Sequence, residues 1–391
     1  FTESASQIFD DATLRFVERV DVPVSTKEER KGVLSRISYE ALNKKKINPE
    51  VVRASAGLNL HQIESAALES IFREGKLSVK TISTIKTKMI KDSGVMEPVT
   101  VTRGFDAWGG YEVVKQYLKT AFIEPLSAKR KLAEKLDMEL PRGLLLHGPP
   151  GVGKTLAMQA ISHELKIPVF KLGNTYSKFV GESERNIKAA VKVAEAASPC
   201  ILYIDEIDKM GRGRSSSDHE VTRRVFSELL EWMGSKERKT IILGATNMPG
   251  DLDPAFVRPG RLDVKVPILY PDLDAREEIF KVHTSVVRKV PLEEVDLHRL
   301  SENTPLFSGA EIEQLVKSAQ LEAFREDSKV VTQEHFDKAL KSIEIDASSR
   351  KKEMEGYITE AKKIGCDRRF LKSLEDMHGA ELSRVSAFKR W

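Results

Sequence analysis

Short apolar runs alternate with amphipathic stretches of helical periodicity through the middle of the chain. The runs occupy residues 144–146, 169–172, 201–204 and 241–243. Near-continuous apolar runs of this length are typical of parallel strands that helices cover on both faces. The pattern predicts an α/β domain over residues 96–270, with a parallel sheet between two layers of helices.

Beyond residue 270 the apolar positions follow a helical period. Four segments show it, near residues 274–288, 293–302, 309–325 and 332–343. They predict a smaller, all-helical lid domain over residues 271–346. Residues 347–391 are rich in lysine and arginine and keep a partly helical spacing of apolar residues, which predicts a basic helical C-terminal tail.

The first hundred residues contain a faint copy of the later part. Residues 15–23 are similar to 261–267, and one apolar spacing occurs twice, in Leu60, Ile63, Ala67 and Phe72 and in Ile312, Leu315, Ala319 and Phe324. Two amphipathic helices can share such a spacing by chance. We favour a repeat, which predicts that residues 1–95 are the C-terminal part of a degenerate module, a strand and a helical lid without a phosphate loop.

Charge and hydropathy limit the class of protein. The 63 basic residues are interspersed with 59 acidic ones, for a formal net charge of +4. This balance gives no support to nucleic-acid binding. No apolar run reaches the roughly 18 residues that a spanning helix needs, so we predict a protein without a membrane span.

The cysteines and the N-terminus bear on location. Cys200 lies within an apolar run and Cys366 in the charged tail, and they form no metal-binding or disulfide pattern. The chain starts at Phe1 and shows no secretion signal. We expect a location in the cytoplasm.

Residues 148–155 match the phosphate loop Gly-x4-Gly-Lys-Ser/Thr, between a predicted strand and a predicted helix. Glycines let backbone N–H groups curl around phosphate oxygens, and the N-terminus of the helix adds positive potential. We expect Lys154 to reach the β- and γ-phosphates of ATP and Thr155 to hold Mg²⁺ through its hydroxyl. The predicted phosphate-binding residues are Gly148, Pro149, Pro150, Gly151, Val152, Gly153, Lys154, Thr155 and Leu156.

Polar residues follow the last two of the four apolar runs, 201–204 and 241–243. Asp205 is expected to face Mg²⁺, and Glu206 to orient and deprotonate the attacking water. Carboxylates that merely cap the strand in solvent are the alternative, and Asp208 is predicted to be structural. Asn247 follows the later run, where its amide can contact the γ-phosphate or the water, although asparagine is also a common turn residue.

Arg258 and Arg261 flank a Pro-Gly turn shortly after Asn247. Planar guanidinium groups suit phosphate oxygens, and an arginine from a neighbouring subunit can raise the rate of hydrolysis roughly a thousandfold. Two solvated arginines on a surface turn are the alternative.

Together these motifs resemble those of the AAA+ ATPases, in the subfamily that includes valosin-containing protein. The likeness extends from about residue 105 to 340 and includes Phe105-Asp-Ala-Trp-Gly-Gly and Ser308-Gly-Ala-Glu311. It implies a P-loop NTPase domain followed by a helical lid, with ATP and Mg²⁺ as cofactors. It also implies a homo-oligomer, usually a hexameric ring, in which Arg258 and Arg261 reach the ATP of the neighbouring subunit.

The same resemblance implies where the rest of the nucleotide binds. Asp106, Ala107, Trp108 and His283 would border the adenine. Gly309 and Ala310 would open the lid helix beside the nucleotide.

Residues 178–184 resemble the first pore loop of that family, in which an aromatic residue grips an extended polypeptide. The resemblance implies substrate contacts from Lys178, Phe179 and Val180, and a turn anchored by Phe179 is the alternative. Residues 211–217 fall where a second pore loop would lie.

The N-terminal part resembles an AAA family of cyanobacteria and red-algal plastids, in which a degenerate AAA-like module precedes the active one. Residues 48–64 and 89–94 carry this likeness. It implies the plastid stroma as the alternative to the cytoplasm if the source is an alga.

The resemblance favours an ATP-driven ring motor that remodels, unfolds or disassembles protein substrates through a central pore. Two alternatives stay open. One is a nucleic-acid machine, such as a loader or helicase-like ATPase that acts through Arg212, Arg214 and the basic tail. The other is an ATP-gated assembly scaffold. Balanced net charge and the aromatic pore residue favour the motor over the nucleic-acid machine.

Overall fold

The computed structural model describes residues 25–44, 46–92, 96–101, 103–172, 180–210, 219–343 and 345–388. The chain divides into two compact units, Phe1–Lys86 and Thr87–Trp391. The predictions for residues 15–23 and 211–217, and for Lys178 and Phe179, fall outside the described residues. No helix in the described ranges is long and apolar enough to cross a membrane.

The described part of the N-terminal unit is helical. It contains α1 (Lys27–Leu42), α2 (Pro49–Ala54), α3 (Leu60–Glu74) and most of α4 (Val79–Asp92). Capping boxes begin α1 at Thr26 and α3 at Asn59. Leu34 of α1 packs inside, and the repeated positions Ile63 and Ala67 of α3 are buried as well. The boundary between the units falls within α4, before the predicted boundary at residue 95.

Within the described residues, the central sheet of the second unit has six strands: β1 (Met96–Val99), β2 (Gly143–His147), β3 (Val169–Leu172), β4 (Ile201–Ile204), β5 (Ile241–Thr246) and β6 (Val264–Pro267). Their order is β1-β3-β4-β5-β2-β6. All neighbouring strands are parallel except β1, which pairs with β3 in antiparallel orientation. The predicted α/β class is confirmed, and the edge strands β1 and β6 are additions to the predicted set.

Helices cover both faces of this sheet. They are α5 (Glu112–Leu118), α6 (Glu124–Leu126), α7 (Arg130–Lys135), α8 (Lys154–Leu165), α9 (Val180–Ala197) and α10 (His219–Gly234). Ile201 and Tyr203 of β4 face the apolar cluster that contains α8. Leu202 and Ile204 face the opposite cluster, which contains α9 and α10. Successive side chains of a strand point to opposite faces, so burial on both sides explains why the run is apolar throughout.

A lid follows the sheet and contains α11 (Leu273–Lys281), α12 (Leu297–Glu302), α13 (Gly309–Arg325) and α14 (Gln333–Leu340). The expectation of an all-helical domain was wrong in one detail, because β7 (Leu292–Glu293) pairs in parallel with β8 (Val331–Thr332). Each of these strands has two residues, too few to leave the alternating pattern by which a strand is read from sequence.

In the described part of the C-terminal segment lie α15 (Ala347–Lys363) and α16 (Arg368–Phe388). Both helices belong to the second unit and pack against its core. Met354 and Tyr357 of α15 and Phe370 of α16 belong to the same apolar cluster as one face of the sheet. The Phe370 ring also stacks on Tyr117, with ring centroids 4.0 Å apart. Cys366, between the two helices, is buried despite its charged sequence surroundings.

Helix α1 is the first described helix of the N-terminal unit, and α11 is the first helix of the lid. The two helices are anchored in the same way. The Arg30 guanidinium donates to the carbonyl oxygen of Ser25 at 2.5 Å. The Arg276 guanidinium donates to the carbonyl oxygen of Pro271 at 2.9 Å. Each arginine is the fourth residue of its helix and reaches back five residues, past the N-cap. This contact is separate from the apolar spacing that suggested the repeat.

Candidate active site

The predicted catalytic segments meet at one edge of the sheet. The phosphate loop follows β2, Asp205 and Glu206 follow β4, and Asn247 follows β5. These three strands are neighbours in the order β4-β5-β2 and run in parallel. Because the carboxyl ends of parallel strands open at the same edge, the topology brings these groups to one cleft.

Two glycines of the phosphate loop are required by its backbone. At Gly148 φ is 150°, and a Cβ there would lie 1.9 Å from the carbonyl oxygen of Ile268. At Gly153, the N-cap of α8, φ is 94° and no described side chain caps the helix. The first N–H groups of α8 therefore stay available to an anion, as a phosphate loop requires.

Lys154 begins α8 and lies within the loop. Its Nζ donates to the carbonyl oxygens of Gly148 at 2.8 Å and Pro149 at 2.6 Å. Burial lowers the pKa of Lys154 to about 8, and the charges of Asp205 and Glu353 oppose this decrease. An ammonium group that is short of counter-charge is well suited to bind phosphate.

The cleft has a volume of about 400 Å³, which suits a nucleotide. Its lining includes most of the predicted site residues, namely Ala107, Trp108, Pro150, Gly151, Val152, Gly153, Lys154, Thr155, Leu156, Asp205, Glu206, Asn247, His283, Gly309 and Ala310. Gly148, Pro149 and Asp106 are predicted site residues that do not line it. The Asp106 carboxylate instead accepts a hydrogen bond from the Gly104 N–H at 2.9 Å and holds the turn before Ala107.

Aromatic and aliphatic side chains form the end of the cleft that the resemblance gives to adenine. The Trp108 ring stacks between Phe105 and Tyr111, with centroid distances of 6.1 and 5.2 Å. Ile279 lies on the lid side, one helical turn before His283. Burial lowers the pKa of His283, so its imidazole is neutral near pH 7.

Two buried nitrogen atoms in this lining test the fit of a nucleotide. Among the described residues, neither Trp108 Nε1 nor His283 Nδ1 has a hydrogen-bond partner. Buried polar atoms are seldom left unpaired, and each such atom calls for an explanation. A ligand that is rich in oxygen and ring nitrogen would supply partners, and a nucleotide is such a ligand.

The two carboxylates after β4 have different surroundings. Asp205 pairs with Lys171 at 3.1 Å, whereas Glu206 has a φ of 49° and pairs with Lys209 at 2.6 Å. The backbone turn at Glu206 thus sends the two side chains in different directions. Asp208 is buried and accepts a hydrogen bond from the Thr246 hydroxyl at 2.5 Å, which is a structural contact of the predicted kind.

Thr155 and Asp205 are the side chains that could hold Mg²⁺. Within the described residues, no group of three or more His, Cys, Asp or Glu side chains could hold a metal ion. Mg²⁺ in nucleotide sites typically takes one or two protein ligands and completes its shell with phosphate oxygens and water. A threonine hydroxyl and one carboxylate at the same cleft fit that pattern.

The lid touches the phosphate loop directly. The Ala310 N–H donates to the carbonyl oxygen of Gly151 at 3.0 Å. Ser308 and Glu311 form a capping box at the start of α13, which fixes the two residues between them, Gly309 and Ala310, against the cleft. A shift of the loop on ligand binding would therefore reach the lid.

The predicted arginine pair lies elsewhere. Arg258 is exposed on the turn between β5 and β6, and neither Arg258 nor Arg261 is among the described residues that line the cleft. The Arg261 guanidinium is partly buried and donates to the carbonyl oxygen of Ala255 at 2.6 Å. The structure thus separates this pair from the nucleotide cleft of its own chain.

Sequence reasoning missed several lining residues, namely Tyr111, Tyr203, Ile279, Val282 and Glu313. Some signals were available. Tyr203 lies on β4 two residues before Asp205, and a strand that continued to Asp205 would place both side chains on one face. Ile279 precedes His283 by one helical turn. Glu313 lies one turn after Gly309 and has no such motif beside it. Hydrogen bonds from Arg288 and Lys317 lower the pKa of Glu313 to about 2.

Comparison with known proteins gives the family. Residues 144–270 match the family model described as ATPase family associated with various cellular activities (AAA), and residues 294–338 match the AAA+ lid domain. A proteasome-activating nucleotidase of Methanocella arvoryzae is 32% identical over 301 residues, which make up 75% of this chain and 71% of that protein. The chain belongs to the AAA ATPase family. The predicted family is confirmed, and membership supports ATPase activity.

Two further relatives extend the comparison of this AAA ATPase. The AAA domain-containing protein ycf46 of Guillardia theta is 32% identical over 320 residues, 80% of this chain and 62% of ycf46. The ATP-dependent zinc metalloprotease FtsH of Acidobacterium capsulatum is 37% identical over 249 residues, 62% of this chain and 38% of FtsH. The chain therefore spans less than two thirds of the length of either relative.

Proposed function

We propose that this AAA ATPase hydrolyses ATP within a homo-oligomeric ring and remodels, unfolds or disassembles protein substrates through a central pore. The names of two relatives, a proteasome-activating nucleotidase and an ATP-dependent metalloprotease, support the substrate class. The proposal includes Mg²⁺ as a cofactor and six subunits. Lys178, Phe179 and Val180 would contact the substrate in the pore.

Each polar side chain of the cleft has a role in this proposal. Lys154 neutralises the β- and γ-phosphates, and Glu206 orients the attacking water and accepts its proton. Asn247 holds the water or the γ-phosphate in place. A bound Mg²⁺ would supply positive charge that offsets the negative charge of the phosphates. Thr155 and Asp205 would hold it.

The position of Arg258 is the observation that carries the ring. Its side chain is exposed and lies outside the cleft of its own chain, where it can serve a second copy. A head-to-tail contact between copies closes into a ring when the rotation allows it. An arginine that reaches the γ-phosphate from the neighbouring copy stabilises the charge of the transition state, so hydrolysis would need assembly.

We also propose that residues 25–92, the described part of the predicted segment 1–95, are the lid of a degenerate AAA-like module. The order of α1 to α4, the repeated apolar positions and the shared arginine anchor of Arg30 and Arg276 support this. In this proposal the unit contributes a surface for assembly or docking.

The test is ATP turnover against protein concentration, with mass photometry on the same samples. Turnover of the wild type should rise steeply at the concentration where rings form. Arg258→Ala should form rings and bind ATP but hydrolyse it roughly a thousandfold more slowly. The matched control is Arg53→Ala, which removes an exposed arginine from α2 in the other unit and should keep wild-type turnover.

A mixing experiment separates a shared site from simple damage. Glu206→Gln should bind ATP and hydrolyse it at least roughly a hundredfold more slowly. Mixed rings of Arg258→Ala and Glu206→Gln contain some intact interfaces and should recover part of the activity. Flat turnover from a monomer, or mixed rings with no recovery, would contradict the shared site.

A further inference from the structure

Helix α15 carries a stripe of contact residues, Arg350, Glu353, Tyr357 and Glu360. They are spaced by three or four residues, so they lie on one face of the helix. From Arg350 to Tyr357 the helix rises about 10 Å. The described contacts of this stripe join the start of the lid helix α13 to the loop that follows β5.

At the lid end, Arg350 forms a bidentate ion pair with Glu311, with nitrogen–oxygen distances of 2.8 and 2.5 Å. It also donates to the carbonyl oxygen of Leu306 at 2.7 Å. Glu311 in turn accepts a hydrogen bond from the Ser308 N–H at 2.8 Å. Arg350 is thus fixed to the turn of the lid that touches the phosphate loop.

In the middle of the stripe, the Glu353 carboxylate accepts a hydrogen bond from the Tyr270 hydroxyl at 2.8 Å. Its charge also reaches the phosphate loop, since it raises the pKa of Lys154 against the lowering by burial. This contact holds α15 to the segment after β6 and keeps the helix in register beside the nucleotide cleft.

At the other end, the Tyr357 hydroxyl donates to the carbonyl oxygen of Asn247 at 2.5 Å. Tyr357 is 8% exposed, and burial raises its pKa to about 12, so the hydroxyl stays protonated and able to donate. One turn further along, Glu360 lies against the next loop residues, where a Cβ on Gly250 would be 3.4 Å from its carboxyl carbon. Tyr357 therefore holds the backbone of Asn247, and Asn247 also lines the nucleotide cleft.

We propose that Tyr357 is a positioning residue for Asn247, and that α15 carries movement of the first turn of the lid helix α13 to Asn247. The inference deepens the proposed ATP hydrolysis and rests on it. The hydroxyl of Tyr357 holds the carbonyl of Asn247, and in the proposed function the amide of Asn247 holds the γ-phosphate or the attacking water. Arg350 ties the same helix to the turn of the lid that contacts the phosphate loop. Closure of the lid on ATP would then set the amide of Asn247 for hydrolysis.

The experiment uses Tyr357→Phe, which removes the hydroxyl and keeps the ring in the core. The kcat of ATP hydrolysis should fall about two- to tenfold, the range expected for one hydrogen bond, while KM stays within about twofold. Tyr117→Phe is the matched control, since its ring stacks on α16 away from Asn247, and it should keep the wild-type kcat. Amide hydrogen exchange over residues 244–252 should become faster in Tyr357→Phe and stay unchanged in the control.

A double-mutant cycle separates positioning from a general structural effect. If Tyr357 acts through Asn247, then Tyr357→Phe causes no further loss in an Asn247→Ala background. An equal loss in both backgrounds, or a wild-type kcat in Tyr357→Phe, overturns the inference. A wild-type protein without ATP turnover would sink the proposed hydrolysis instead, and hydrogen exchange over residues 244–252 with bound nucleotide would then decide the positioning contact alone.

Discussion

Lys154 makes a prediction about protons that follows from its burial. The pKa of its ammonium group is lowered to about 8 in the protein without nucleotide. Phosphate oxygens favour the charged form, so nucleotide binding should raise this pKa again. The bound state then holds more protons than the free state, and binding takes up protons wherever free Lys154 is partly deprotonated.

The size of the effect follows from the pKa. At pH 8 about half of the free protein lacks this proton, so binding should take up about 0.5 proton; at pH 7 the value falls to about 0.1. The sign follows because the bound state holds the extra proton. The affinity for the nucleotide is constant well below pH 8 and falls as the pH rises through 8. From pH 7 to pH 9 the free fraction with a charged lysine falls about tenfold, and the affinity should fall by the same factor.

Calorimetry with a non-hydrolysable ATP analogue measures the uptake, since the apparent enthalpy changes with the ionisation enthalpy of the buffer. Glu353→Gln removes a charge that opposes the lowering of the pKa, so it should increase the uptake at pH 8. Lys154→Arg should abolish the uptake, because a guanidinium stays protonated throughout this range. An affinity that is equal at pH 7 and pH 9, or an uptake that survives Lys154→Arg, would refute the reasoning.

Other substitutions test the loop and the adenine end. Gly148→Ala would place a Cβ 1.9 Å from a backbone carbonyl oxygen and should destabilise the fold by about 3 kcal/mol or more in urea denaturation. Gly356→Ala makes the same chemical change on α15, where no described heavy atom lies within 4 Å, and should stabilise it by about 0.5–1 kcal/mol; equal effects would contradict the steric argument. His283→Ala should weaken ATP binding about two- to tenfold and reduce the preference for ATP over GTP in a competition assay, and an unchanged preference would remove His283 from the adenine contact.

The central strands and the cleft could be predicted because several physical demands act on the same few residues. Residues 201–204 form a strand that is buried on both faces of the sheet, so every position must be apolar. The sequence therefore shows an uninterrupted apolar run there. The phosphate loop must have glycine where the backbone passes the carbonyl of Ile268. Such positions leave little choice of residue, which is why sequence motifs mark them.

The edge strands and the packing of the C-terminal helices could not be predicted in the same way. β1 has the sequence Met-Glu-Pro-Val and β6 Val-Lys-Val-Pro, and such short mixed segments resemble loops. The role of α15 depends on hydrogen bonds between residues about a hundred positions apart, as between Tyr357 and Asn247. A basic amphipathic helix has the same local pattern whether it is solvated or packed, so only the fold distinguishes the two.

Residues outside the core give the stronger support to the proposed repeat. Amphipathic periodicity explains why Ile63 and its counterpart Leu315 are both buried, and chance would explain their shared spacing equally well. It does not explain the matching phenylalanines at the ends of α3 and α13, since Phe72 is 91% exposed and Phe324 78% exposed. A phenylalanine that water covers contributes nothing to core packing. Its recurrence at the same place therefore argues for common descent or for a common docking surface, and either of these favours a repeat over chance.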